Sequence, residues 1–344
     1  MRIENDKFIL SPREWEILSA STYSLSIREI ARKTKIPHTT VNRFIERARR
    51  YVKIRFVPNF RKLNLVPLIL LFSKYNKPEK VSVFTTSVRK VFGYKPYIMV
   101  FGLVPAPFLE DYIESIGVEP LITIRGYDFQ RWHVTQPGTV YRADENTFFP
   151  NLDVYKDIIR KVDKPKKLSG DTAPDKIDLA IITWKYFRDA YTPLSETINL
   201  SRKYDPNFLD ISKQVLSYHY RKHVVGRYWL YNSHTFYFNT TRIPIKVYIF
   251  EGSEAHIVAN ILVTLPYFYF SMIDENQAAV LGQIPCSMHE TIYRLISQFD
   301  ITTPFGDLIM TSHVITKSIP RLFKYSENGK WVWSEEVMII RNLI

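Results

Sequence analysis

One side of the stretch IPHTTVNRFIERARR (36–50) carries side chains able to read the edge of a base pair. Thr39, Thr40, Arg43 and Arg47 fall there at helical spacing, with Asn42 on the flank and His38 at the start. The fork of Arg matches guanine, the amide of Asn matches adenine, and the methyl of Thr meets that of thymine. Around this set stand Lys33, Lys35, Arg50, Lys53 and Arg55. These suit phosphate contacts, which set affinity and salt dependence rather than sequence choice. A charged outer face is also what an ordinary solvated helix shows. The surrounding elements must decide between the two readings.

Val41, Phe44, Ile45 and Ala48 repeat at i, i+3, i+4 and i+7 and supply the inner stripe of that helix. Upstream, SPRE (11–14) places a capping Ser, a Pro suited to the first helical position and a Glu that can close a capping box. SIRE (26–29) opens a second helix with Ile27, Ile30 and Ala31 inward, and Thr34-Lys35-Ile36-Pro37 ends it. VKIRFVPNF (52–60) then reads as β structure. Three short helices followed by a strand pair form the pattern of a winged helix-turn-helix, whose third helix enters the major groove.

Charge agrees with this placement. From Arg28 to Lys62 twelve Lys or Arg face only Glu29 and Glu46, a net +10 in a chain whose total is +13. An anionic partner follows. With 344 residues, 46% of them hydrophobic, the chain should form more than one packed unit. The single cysteine, Cys286, excludes an internal disulfide framework and a Cys-rich zinc site. The N-terminus has no apolar signal core, and the runs 65–72 and 257–270 are too short to span a bilayer. A soluble, cytoplasmic, nucleoid-associated protein is expected.

Beyond the first module the spacing predicts strand 65–74, helix 79–92, strand 95–105 with a tight turn inside it, helix 107–117 and strand 118–129. This is the order of a ferredoxin-like βαββαβ unit, with an added hairpin at 131–143 turning at QPGT. KVDKPKKLSGDTAPDK (161–176) lacks any apolar period and reads as a linker. The element order then repeats: helix 175–190, helix 192–203 with Thr192 capping it, helix 212–224, wing-like strands 226–238 and a second βαββαβ series. That series closes with a hairpin at Asn328-Gly329. Phe101-Gly102 aligns with Leu281-Gly282 and Leu109-Glu110 with His289-Glu290, each 180 residues apart.

The expected fold is therefore α+β, with two winged helix-turn-helix domains (1–62 and 175–240). Each is followed by a ferredoxin-like βαββαβ domain (63–150 and 241–344), and the linker is 151–174. The second reading helix would present Lys213, Gln214, Ser217, Tyr218, Arg221 and Lys222 if Leu216 and Tyr220 face inward. The window 201–227 is less basic, at six cations against two Asp. His219 and His223 stand four apart, a spacing that can hold a metal. No third ligand lies nearby in sequence, so a structural or phosphate-facing role is expected, with no metal and no cofactor. P-loop, GxGxxG and HExxH motifs are absent, so no catalysis is expected.

SIREIARKTKIPHTTVNRFIERARRYVKIRFVPNFRKLNL (26–65) resembles the Lrp/AsnC family of transcription regulators. The likeness extends over roughly the first 130 residues through the element order. It implies a dimeric DNA-binding regulator, often responsive to amino acids. The family's Gly-x-x-Asp effector signature is missing, since Leu103-Val104-Pro105 follows Gly102 and Gln283-Ile284-Pro285 follows Gly282. That speaks against amino-acid sensing. The family has one such unit per chain, whereas two stand here, so this chain would act as an intrachain pseudo-dimer or as a homodimer.

The expected partner is double-stranded DNA, with RNA polymerase or a basal transcription factor as a protein partner and no membrane. Half-sites roughly 34 Å apart would follow from that geometry. Two other functions fit the same letters. One is an architectural or polymerase-associated winged-helix protein without sequence specificity. The other is a regulator sensing a metabolite between its βαββαβ domains.

Overall fold

A computed structural model describes residues 1–4 and 6–340 of the chain and shows a mixed α+β protein. Strands β1 (Arg2–Glu4) and β2 (Lys7–Ile9) precede α1 (Pro12–Ser21), α2 (Ile27–Thr34) and α3 (His38–Ala48). Then come β3 (Val52–Pro58), β4 (Leu65–Ser73), β5 (Lys80–Ser82), β6 (Thr85–Phe92), β7 (Pro96–Pro105), α4 (Leu109–Ser115), β8 (Ile122–Arg125) and β9 (Asp128–Arg131). The hairpin β10 (Thr139–Arg142) and β11 (Thr147–Pro150) leads to α5 (Tyr155–Ile159).

The second half opens with α6 (Lys176–Phe187), α7 (Leu194–Tyr204) and α8 (Lys213–Tyr218). A ten-residue π-helix, His219–Tyr228, continues α8. It is followed by β12 (Trp229–Phe236), β13 (Ile245–Glu251), α9 (Ala255–Leu262), β14 (Phe268–Ile273), β15 (Gln277–Gly282), α10 (His289–Ile296) and β16 (Leu308–Lys317). The short strands β17 (Ser326–Glu327), β18 (Lys330–Trp331) and β19 (Val337–Ile339) close the described chain.

The chain divides into two compact units, each assembled from three separated segments: 1–57, 130–165 and 231–309 in one, 58–129, 166–230 and 310–344 in the other. The first unit therefore contains α1–α3 together with β13–β15, α9 and α10, although these are far apart in sequence. Its antiparallel ladder β13–β15–β14 is backed by Phe250, Val258, Leu262, Phe268, Val280 and Ile292, against which α5 packs Tyr155, Ile158 and Ile159. A second core in this unit is aromatic. Phe8, Trp132, Phe148 and Phe236 are all at most 3% exposed, and their rings lie 4.8–6.3 Å apart in successive contacts. Trp15 of α1 stacks on Tyr141 at 4.8 Å and so ties α1 to the β10–β11 hairpin.

The second unit is built on the antiparallel order β8–β4–β7–β6. Strand β4 lies between β7 and β8, and its run LVPLILLF is buried throughout. Helices α6 and α7 are joined by the bond from Trp184 Nε1 to Ser201 Oγ (2.8 Å). Residues 166–174 carry no helix and are tied down nonetheless. Asn64 donates to Thr172 O (2.9 Å), Arg61 to Lys166 O (2.6 Å), and Ala173 N to Gly329 O (2.8 Å).

Several expected elements take another form. The segment 79–92 is not a helix but β5 and β6. Val88 and Val91 stand three apart and suggest a helix, but Val81, Val83, Thr85, Thr86, Val88 and Val91 are β-branched and favour strands. A register shift between Thr85 and Ser87 explains the irregular period. No turn interrupts β7. Gly102 lies inside it because a Cβ there would come 3.2 Å from the ring of Tyr112.

The expected hairpin at 131–143 lies instead at 139–150, turning through Asn146 at φ +52°. Trp132 pairs elsewhere, its N–H donating to Tyr269 O (3.2 Å). Thr192 does not cap α7; Pro193 holds that position, and the Thr192 hydroxyl donates to Asp189 O (2.8 Å).

The strand pairs expected after α3 and after α8 are single strands, β3 and β12, which pair with one another. By contrast the 180-residue offset recurs in the elements themselves. Strands β4 and β13 begin at Leu65 and Ile245, and helices α4 and α10 at Leu109 and His289.

Candidate nucleic-acid interface

Helix α1 is closed by Ser11 and Glu14, each side chain bonding the other's backbone N–H (3.3 and 3.0 Å). It buries Ile17, Leu18 and Ser21. Ser26 caps α2 by accepting from Glu29 N (3.2 Å), while the Glu29 carboxylate takes Leu25 N–H (2.8 Å) rather than that of Ser26. Thr34 turns its hydroxyl back onto Ile30 O (2.9 Å). Lys35 then adopts a left-handed conformation, φ +55°, and the buried Ile36 anchors the turn.

Helix α3 starts behind Pro37, whose lack of N–H costs nothing at a helix entrance. No side chain caps it, so its first amides are open to an anion. Val41, Phe44, Ile45 and Ala48 are buried, at most 4% exposed. Burying Val41, Phe44 and Ile45 contributes about 1.5–3 kcal/mol each, which fixes the opposite face toward solvent. His38, Thr39, Asn42, Arg43, Arg47 and Arg50 are exposed there, and Thr40 is half-buried.

The cations on this face are not equivalent. Arg47 pairs with Glu14, and Lys33 pairs with Glu29 (3.0 Å) while donating to Tyr23 O. Arg49, a residue absent from the expected set, pairs with Glu46. Among the described residues Arg43, Arg50 and Lys35 have no carboxylate partner. Lys53 and Arg55 occupy alternate, half-buried positions on β3.

The frame behind α1–α3 comes from far along the chain. Asn232 of β12 donates through Nδ2 to Ser21 O (2.9 Å) and Ser24 O (2.7 Å), and its N–H donates to Thr22 O (2.7 Å). His234 Nε2 lies 2.8 Å from Ser21 Oγ, whose hydroxyl donates to Leu18 O. Val134 N–H approaches His234 Nδ1 at 3.5 Å, so Nδ1 accepts and Nε2 carries the proton. Burial pushes His234 down to about 3 and His133 to about 4, so both stay neutral in the fold. Sequence reading missed this buttress; its signal is the polar run Asn232-Ser233-His234-Thr235, which lies in the buried end of β12.

The second expected set sits on α8 and the π-helix of the other unit. Ser212 caps α8 by accepting from Val215 N (3.3 Å). Lys213, Gln214, Tyr218, Arg221 and Lys222 are exposed, and Ser217 is half-buried. Leu216 and Val224 face inward, whereas Tyr220 is only half-buried, with Lys185 Nζ 5.1 Å from its ring centre. Lys185 is itself 3% exposed, donates to Ala190 O and Thr192 O (2.9 Å each), and is lowered by burial to about 8.

His219 and His223 face Asp178 of α6, a residue that sequence spacing did not connect to them. None of the described helices is long and apolar enough to cross a membrane. Neither a family model, nor a curated protein, nor a solved structure matches the chain.

Proposed function

We propose that this chain is a sequence-specific binder of double-stranded DNA that regulates transcription, with α3 as its principal reader. The observation that carries this reading is the division of α3 into two faces. Val41, Phe44, Ile45 and Ala48 are buried, while Thr39, Asn42 and Arg43 are exposed on one side and Arg43 has no acidic partner among the described residues. A base-reading helix needs a rigid seat and polar donors held free of local competitors. The uncapped start of α3 and the nearby Arg50, Lys35 and Lys53 supply phosphate contacts.

The second reader, on α8 and the π-helix, carries Lys213, Gln214, Tyr218, Arg221 and Lys222 exposed in its own compact unit. The shared 180-residue offset of strand and helix starts supports an origin by duplication of a helix-turn-helix plus βαββαβ unit. In the first copy β5 and β6 stand where the first helix would be. Unequal charge in the two modules implies an asymmetric or imperfectly palindromic site.

Selection of bound sites from random duplex DNA tests this reading, because it reports specificity, half-site spacing and symmetry together. A recovered motif supports it. Uniform recovery of all sequences with steep salt dependence would overturn it in favour of an architectural protein.

A further inference from the structure

In the second unit one carboxylate meets two imidazoles. Asp178 Oδ1 is 2.9 Å from His219 Nδ1, and Asp178 Oδ2 is 3.1 Å from His223 Nδ1. All three donor atoms lie within 4.8 Å of one another, and Asp175 Oδ1 stands 3.8 Å from His219 Nδ1. We propose that Asp178, His219 and His223 bind a zinc-class divalent cation, with Asp175 beside the open position.

The donor set is that of zinc: imidazole nitrogen and carboxylate oxygen, with room for water or a fourth ligand. In a tetrahedral site with bonds of 2.0–2.1 Å, neighbouring donors stand about 3.3 Å apart. The two N···O distances seen here reach that value with shifts of a few tenths of an ångström, while the widest donor separation, up to 4.8 Å, must close by about 1.5 Å. Neutral imidazoles bind the ion without losing a proton, and the tautomer moves to Nε2–H.

Two further features point the same way. The helix leaves α geometry at His219, and both histidines lie in the widened π segment, a rare form that recurs at functional sites. The Asp178 side chain is 4% exposed, and among the described residues no Lys or Arg pairs with it. A buried carboxylate needs compensating charge, and a dication supplies it. Bound there, the ion would clamp α6 to the start of the π-helix, directly behind Tyr218, Arg221 and Lys222.

The test uses the full chain, stripped with a chelator and titrated with Co²⁺ as a spectroscopic probe, then with Zn²⁺ in competition. One Co²⁺ per chain with the visible bands of a four- or five-coordinate N/O site is expected, displaced by Zn²⁺ with micromolar or tighter affinity. His223→Ala, at a half-exposed position, should weaken binding at least about tenfold, while its melting in chelator matches the parent. His219→Ala should weaken binding likewise and, because it leaves Asp178 Oδ1 without its 2.9 Å partner, lower melting in chelator as well. Absence of stoichiometric binding at millimolar metal, or binding left intact in both variants, would overturn the site.

Discussion

Arg47 Nη2 lies 2.5 Å from Glu14 Oε1, the same oxygen that receives the chain's terminal ammonium at 2.7 Å. One carboxylate thus holds a base-reading candidate of α3, the chain terminus and, through its other oxygen, the Ser11 N–H of the capping box. Arg47 is therefore partly neutralised on the face where Arg43 stands without an acidic partner among the described residues.

Glu14→Gln keeps the capping geometry and removes the charge. DNA affinity is expected to rise and the salt slope to steepen by about one, as Arg47 becomes available to a phosphate. Fluorescence anisotropy across a salt series measures this; an unchanged slope would count against Arg47 lying at the interface. Burial alone would raise the Glu14 carboxyl, but the terminal ammonium, the Ser11 amide and Arg47 together hold it below its ordinary value. Its stabilising contribution is thus complete above the unfolded value and is lost as pH falls through the folded one.

Arg43→Ala should cost about 1–3 kcal/mol of discrimination at one base position and leave melting within about 0.5 kcal/mol of the parent. Arg47→Ala should cost less, because Glu14 already competes for it. Binding by the double variant that matched the parent would remove α3 from the proposed interface.

His133 and His234 set a pH dependence. Both are buried, 6% and 0% exposed, and burial depresses them to about 4 and about 3. The unfolded chain takes up their protons near pH 6.5 while the folded chain does not. Their stabilisation is therefore complete above that pH and falls as pH drops, by up to about 1.4 kcal/mol per unit for each. Urea midpoints from pH 7.5 to 4.5 should show the decline, and His234→Gln should remove part of its slope.

Gly102 and Gly282 stand 180 residues apart in the sequence but tolerate a methyl group differently. A Cβ at 282 would meet backbone, Tyr267 O at 2.7 Å and Phe268 Cα at 3.1 Å. At 102 the neighbours are the side chains of Tyr112 and Val104, at 3.2 Å. Gly282→Ala should destabilise by about 1–3 kcal/mol and Gly102→Ala by less, measured as denaturant midpoints. Equal effects would show that backbone at 267–268 yields as readily as a ring.

Much of the α1–α3 segment is legible because its signals are local. Ser11 and Ser26 cap within three residues, Pro37 blocks one helix and begins the next, and the Val41–Ala48 stripe needs no knowledge of its partner. The segment 79–92 was misread because two valines three apart satisfy helical spacing as well as a bulged strand does. The strand pair expected after α3 is absent for a different reason: β3 finds its partner in β12, and no local period encodes a pairing across that distance.

By itself, then, the sequence determined the capped helices, the exposed polar face of α3, the basic window around it and the repeat at an offset of 180. These follow from dihedral preference and side-chain hydropathy within a few residues. Only the tertiary structure decided that Arg47 and not Arg43 is paired, because Glu14 reaches it from a different helix. It likewise decided that Asn232 and His234 brace α1 and that Asp178 meets His219 and His223. Each of those contacts joins residues far apart in the chain, and hydrogen bonds of a few ångströms leave no trace in the spacing of letters.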